Sequence, residues 1–192
     1  RHNIGFNIVD NYVETKKLGS FKSKNNGLYL KTNLYGEEVI LLKPQSYINL
    51  SGDVLIKYVN FYKININDIL IINDDLDLEC GNFKLKESGS SGGHNGLKNI
   101  EQNLKTKAYK RLKVGISNRK DLDTKDYVLG KLSKEEKEKL NVVKEKSIDI
   151  IDDYFKMDFS KLMNKYNQKN RWCFMDILNN IIDINYKKGM GI

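Results

Sequence analysis

Ile4, Ile8, Val9 and Tyr12 fall on one face at helical spacing, which predicts a helix over residues 3–16. The pattern then changes to short apolar runs. Residues 28–32 and 38–42 read as strands joined by a turn at Asn33-Leu34-Tyr35-Gly36, and Pro44, the single proline, closes the second strand. Ile48, Val54, Leu55, Tyr58, Val59 and Tyr62 restore helical spacing and predict a helix over 46–62. That spacing then stops: Ile69-Leu70-Ile71-Ile72 is an unbroken apolar run, as expected of a central strand buried on both faces. The strand is expected to end at Asn73-Asp74-Asp75, placing polar groups at its carboxyl end, where open α/β sheets bind ligands.

A strand at 82–86, a loop at 88–93, a helix from Asn95 to about Leu104 and a strand at 111–116 follow. Ser133 with Glu136 forms a capping-box signature, and Leu140, Val143, Ile148 and Ile151 continue it as an amphipathic helix. A last helix is expected near Ser160. Strands alternating with helices predict an α/β fold: a single domain with a mixed, mostly parallel sheet flanked by helices on both faces. Residues 1–168 form that domain on this reading, and 169–192 are a C-terminal extension of unknown role.

Composition narrows the class. The chain has 192 residues, 40% hydrophobic and 30% charged, the balance of a soluble globular protein. No apolar run approaches the roughly 20 residues that span a bilayer. Cys80 and Cys173 match no metal or redox spacing, so reduced thiols in a cytosolic protein are expected. The charge is localised: Lys84, Lys86, Lys98, Lys105, Lys107, Lys110, Arg111, Lys113, Arg119 and Lys120 give the stretch 81–120 a net charge equal to the +8 of the whole chain. Such an excess around a Gly/Ser-rich loop suits a polyphosphate partner, although a lysine-rich solvated surface would look the same.

Four segments are polar where a core would be apolar: His2-Asn3, Asn49-Leu50-Ser51-Gly52, Asn73-Asp74-Asp75-Leu76-Asp77 and Gly92-Gly93-His94-Asn95-Gly96. Each has a structural explanation of its own, as terminus, helix turn, strand-end loop or glycine turn. His2 and His94 are the two histidines, and therefore the two side chains whose ordinary pKa suits proton transfer at neutral pH.

Together the segments resemble the bacterial-type peptidyl-tRNA hydrolase family. The resemblance rests on Arg1-His2-Asn3-Ile4-Gly5-Phe6, Lys43-Pro44-Gln45-Ser46-Tyr47-Ile48-Asn49-Leu50-Ser51-Gly52, Asn73-Asp74-Asp75-Leu76-Asp77-Leu78 and Gly92-Gly93-His94-Asn95-Gly96-Leu97-Lys98. Shorter matches at Arg111-Leu112-Lys113-Val114-Gly115-Ile116, Tyr127-Val128-Leu129-Gly130-Lys131 and Met163-Asn164-Lys165-Tyr166-Asn167 extend it in order to about residue 168. It implies cleavage of the ester between a peptide and the terminal ribose of tRNA. His2 would be the base that activates water, Asp74 the acid that hydrogen-bonds it, and Asn49, Asn95 and Tyr47 substrate-binding residues. Lys84, Lys86, Lys98, Arg111, Lys113, Arg119 and Lys120 would line the tRNA-facing rim, while His94 would shape the glycine loop. The resemblance implies neither metal nor cofactor, no membrane, and a monomer acting in the cytoplasm, bacterial or organellar.

Two alternatives share the basic stretch: a non-catalytic RNA-binding relative of the splicing-factor kind on the same fold, and an unrelated nucleic-acid-binding module. Retention of His2, Asn49, Asp74 and Asn95 favours the enzyme. Three departures accompany the resemblance. Relatives place a strand, a Gly-Asn-Pro-Gly turn and a tyrosine before this histidine, so a chain beginning at Arg1 is expected to fold poorly or cleave weakly until that segment is supplied. Asn73 stands where many relatives carry histidine, with a modest expected effect. Residues 169–192 carry an apolar stripe including Trp172, Phe174, Ile177, Leu178, Ile181 and Ile182 beyond the usual end.

Overall fold

In the computed structural model of the chain, residues 3–117 and 132–167 are described. The expectations for His2, Arg119, Lys120, the Tyr127-to-Lys131 match, Cys173 and the C-terminal extension fall outside those residues.

The elements are α1 (Ile4–Thr15), β1 (Lys22–Lys24), β2 (Gly27–Leu34), β3 (Glu37–Pro44), α2 (Ser51–Tyr62), β4 (Leu70–Glu79), β5 (Phe83–Lys86), α3 (Asn95–Leu104), β6 (Lys110–Ser117), α4 (Lys134–Tyr154) and α5 (Phe159–Asn167). They form two three-stranded sheets among the described residues, antiparallel β1-β2-β3 and mixed β4-β6-β5. In the mixed sheet β4 runs parallel to β6, and β5 runs antiparallel to it.

Side-chain alternation along β4 and β6 divides the core in two. Leu70, Ile72, Leu112, Val114 and Ile116 join Ile4, Ile8 and Tyr12 of α1 and the apolar faces of α4 and α5. On the other side Ile69 and Ile71 meet Val59 of α2 and Leu97, Ile100 and Leu104 of α3. Helices therefore cover both faces of this sheet, as the alternating pattern predicts.

Several boundaries differ from the sequence reading. The β2–β3 hairpin turns on two residues, Tyr35 and Gly36, at φ 54° and 86°, the positive angles a primed two-residue turn requires. Leu34 is buried and pairs with Glu37, so the ladder continues through residues that the sequence assigns to the turn. The helix expected from Ser46 starts at Ser51, because Ile48–Leu50 form a separate 3₁₀ turn. β4 does not end at the acidic motif: Asn73, Asp74 and Asp75 are buried in mid-strand, paired with Lys113, Val114 and Gly115. Ile69 is buried, whereas Leu70, Ile71 and Ile72 are only partly buried although helices pack on both faces.

The irregular end of β4 depends on Gly115, since a Cβ there would lie 2.0 Å from the Glu79 carbonyl oxygen. Gly115→Ala is expected to lose about 3 kcal/mol or more, read as a fall in urea midpoint, because the clash is with backbone and cannot be relieved by a rotamer.

α1 is tied to α4 by a polar cluster. Tyr12 donates to Asp152 Oδ1 at 2.8 Å, and Lys16 pairs with Oδ2. Burial acts to raise the Asp152 carboxyl, but hydrogen bonds from Lys16 and Tyr12 outweigh it and hold the group below its ordinary 3.8. A depressed folded-state value means that this contribution is complete above the unfolded value and is lost as pH falls through the depressed one. Asp152→Asn should therefore lower stability at pH 7 by about 1–2 kcal/mol and flatten the acid limb below about pH 4, seen in urea midpoints across pH.

Candidate active site

Asp74 lies on the same face of β4 as Ile72, the face covered by α1. Contact there is close: a Cβ at Gly5 would sit 2.5 Å from the Ile72 carbonyl oxygen. The first turn of α1 is thus pressed against β4 two residues before Asp74.

From the other side α3 supplies His94, its N-cap residue. His94 Nδ1 accepts from the Leu97 amide at 3.3 Å, satisfying one of the free N–H groups of the first turn. An acceptor at Nδ1 leaves the ring proton on Nε2, which lies 3.2 Å from Asp74 Oδ1 and donates to it. Both nitrogens are therefore engaged, and the geometry gives His94 the role of fixing the carboxylate and the start of α3.

Asn95 follows immediately as the first residue of α3, and Asn49 lies in the 3₁₀ turn before α2; both are exposed. Neither amide has a hydrogen-bond partner among the described residues, so both are available to a ligand. Close packing joins their segments, since a Cβ at Gly96 would lie 3.1 Å from the Ile48 carbonyl oxygen. Tyr47 beside them is 82% exposed, with Ile48 and Leu50 also partly open. Asp74, His94, Asn95 and Asn49 are thus linked in one cluster. Among the described residues, a groove of about 400 Å³ between α1 and α4 meets this region at Asn3 and Ile4.

The basic residues divide by environment. The β5–β6 register sets Lys84 opposite Lys113 and Lys86 opposite Arg111, so all four share a sheet face. Lys84, Lys86 and Lys98 are exposed. Lys113 instead pairs with the buried Asp75. Arg111 corrects the sequence expectation of a tRNA contact: it is 1% exposed, with its guanidinium donating to the Ser90 and Gly89 carbonyls and lying over the Tyr109 ring. Its charge is spent on holding the glycine loop.

The sequence profile describing peptidyl-tRNA hydrolases matches residues 1–172. The chain belongs to the peptidyl-tRNA hydrolase family. A family relative from Clostridium botulinum is 43% identical over 167 residues, covering 87% of this chain and 87% of the relative. One from Listeria welshimeri is 40% identical over 167 residues, covering 87% and 91%. The crystal structure of peptidyl-tRNA hydrolase from Acinetobacter baumannii superposes with a TM-score of 0.81 at 30% identity, over 88% of this chain and 86% of that one. These relatives are named as hydrolases, and the non-catalytic splicing-factor alternative gains no support from them.

Sequence reasoning missed the side chains that join α2 to α3. Asn99 Oδ1 accepts from the Gly52 and Asp53 amides at 2.6 and 3.1 Å, and Asn103 donates to Asp53 Oδ1 at 2.8 Å. The Asn99/Asn103 spacing of one helical turn was a local signal, but its partner lies 46–50 residues away.

Proposed function

We propose that this chain hydrolyses the ester linking a peptide to the terminal ribose of tRNA, with His2 as the general base. The observation that supports it best is the convergence of the α1 start, Asp74, His94-Asn95 and Asn49, with exposed Lys84, Lys86 and Lys98 on the neighbouring elements. Ester hydrolysis needs a base, a group to orient it and donors for the developing oxyanion. His2 takes a proton from water as the oxygen attacks the ester carbonyl. The Asp74 carboxylate favours the imidazolium so formed. Collapse of the tetrahedral adduct breaks the bond to the ribose oxygen, which recovers the proton from His2. The amides of Asn49 and Asn95 can donate to the carbonyl oxygen and accept from the peptide backbone without a charge to desolvate. The exposed lysines hold phosphate without reading sequence.

The same reading includes a monomer acting in the cytoplasm; no helix among the described residues is long and apolar enough to cross a membrane. Multiple-turnover release of the amino acid from N-blocked aminoacyl-tRNA tests the activity. Free tRNA and blocked amino acid are the expected products, and binding of the RNA without release, even with the relatives' Gly-Asn-Pro-Gly segment supplied ahead of Arg1, would refute it.

The basic residues should separate in a second assay. Lys98→Ala is expected to weaken tRNA binding and reduce the slope of log affinity against log salt by about 1. Arg111→Ala should leave that slope unchanged and instead cost about 2–3 kcal/mol of stability, through the orphaned Gly89 and Ser90 carbonyls. Salt titrations and urea melts of the two variants check both outcomes.

A further inference from the structure

We infer that Asn99 is a positioning residue for the reaction: its side-chain amide caps α2 from α3 and thereby sets the placement of Asn49 relative to Asn95. This rests on the reading that those two asparagines hold the substrate. Asn99 itself turns its polar atoms onto α2.

The first turn of a helix leaves N–H groups without internal partners, and α2 lacks a capping side chain at its own N-cap, Leu50. Asn99 supplies the missing acceptor through space, taking the Gly52 and Asp53 amides on one oxygen. Its Nδ2 donates to Asp53 Oδ1 at 3.3 Å, and Asn103 adds a second donor to the same carboxylate oxygen. Asn103 Nδ2 also reaches the Asn99 carbonyl at 3.0 Å, which ties the clasp into α3.

The backbones meet at two points around the proposed substrate residues. At one, Gly96 abuts the Ile48 carbonyl; at the other, a Cβ on Gly52 would lie 2.3 Å from the Asn99 carbonyl oxygen. Asn49 lies between Ile48 and Gly52 on its segment, and Asn95 immediately precedes Gly96 on the other. Both exposed amides are therefore carried on backbone whose separation is fixed by direct contact and by the Asn99 side chain.

The position calls for an amide. Leucine would match its bulk and leave two helix N–H groups without an acceptor. Aspartate would keep the acceptor and add a charge that suits a helix N-terminus, but it would face the Asp53 carboxylate with no donor between them. Changing Asp53 to asparagine removes that repulsion and restores a donor–acceptor pair with the polarity reversed, giving up only the hydrogen bond from Asn103 to that oxygen.

The test uses the full chain with N-blocked aminoacyl-tRNA and with uncharged tRNA. Asn99→Leu should lower kcat/KM by about 10- to 100-fold, the scale of a small misplacement of substrate-holding groups. Affinity for uncharged tRNA should stay within about twofold, because the exposed lysines do not move. Asn99→Asp should also be impaired, and adding Asp53→Asn should return kcat/KM to within about threefold of wild type. Asn49→Ala and Asn95→Ala serve as reference variants: if neither lowers kcat/KM, the functional reading of the asparagines fails. If both do, yet Asn99→Leu keeps wild-type kcat/KM per folded molecule, positioning by Asn99 is overturned. It is equally overturned if Asn99→Asp folds, is impaired and is not rescued by Asp53→Asn. Because Asn99→Asp retains the cap, that pair decides the matter even if Asn99→Leu does not fold.

Discussion

Replacing His2 with alanine should lower kcat for ester cleavage by about 10²- to 10⁴-fold, the range expected when a positioned general base is lost. Affinity for uncharged tRNA should change by less than about twofold, since the variant removes a proton acceptor and no phosphate contact. The two results matter together. A protein that used this surface only to bind RNA would show neither the cleavage nor its loss. The other histidine is poorly suited to substitute, because its Nδ1 receives the Leu97 amide and its Nε2 faces Asp74. Residual activity in the His2→Ala variant should reflect substrate held by Asn49 and Asn95, and should fall further when either is removed.

Asp74→Asn is expected to reduce kcat by about 10- to 100-fold with tRNA affinity intact. The substitution is discriminating because an amide oxygen can still accept from His94 Nε2, 3.2 Å from Asp74 Oδ1 in the native chain. The start of α3 should therefore keep its place while the negative charge is lost. Charge is what an adjacent imidazolium needs as water is deprotonated. Rate measurements at saturating substrate, with circular dichroism melts as a control for folding, give the comparison. An Asp74→Asn variant with wild-type kcat would leave the carboxylate a structural role only.

What the chain alone revealed follows the range over which each feature is determined. α1 and α4 were legible because their apolar spacing and, for α4, the Ser133/Glu136 capping box are local, and both capping hydrogen bonds form. β4 was found but ended too early, because Asn73-Asp74-Asp75 looks like a strand end until Lys113, Val114 and Gly115 of β6 are seen beside it. Ile48 suggested helix by spacing, yet the α-helix waits for the cap that Asn99 provides at Gly52 and Asp53. Arg111 stood among ten basic residues in sequence, and only its burial beneath Gly89 and Ser90 separates it from Lys84, Lys86 and Lys98. Motif strings brought Asn49, Asp74, His94 and Asn95 forward as candidates; the contacts that group them, His94 to Asp74 and Gly96 to Ile48, depend on tertiary packing.

The proposal that Asp74 works through His2 is tested most directly by combining the two substitutions and measuring single-turnover ester cleavage. Groups that act as one unit give strongly non-additive losses. Asp74→Asn should cost about 10- to 100-fold in the native chain and less than about twofold once His2 is alanine. A full and undiminished loss in the His2→Ala background would contradict the pairing.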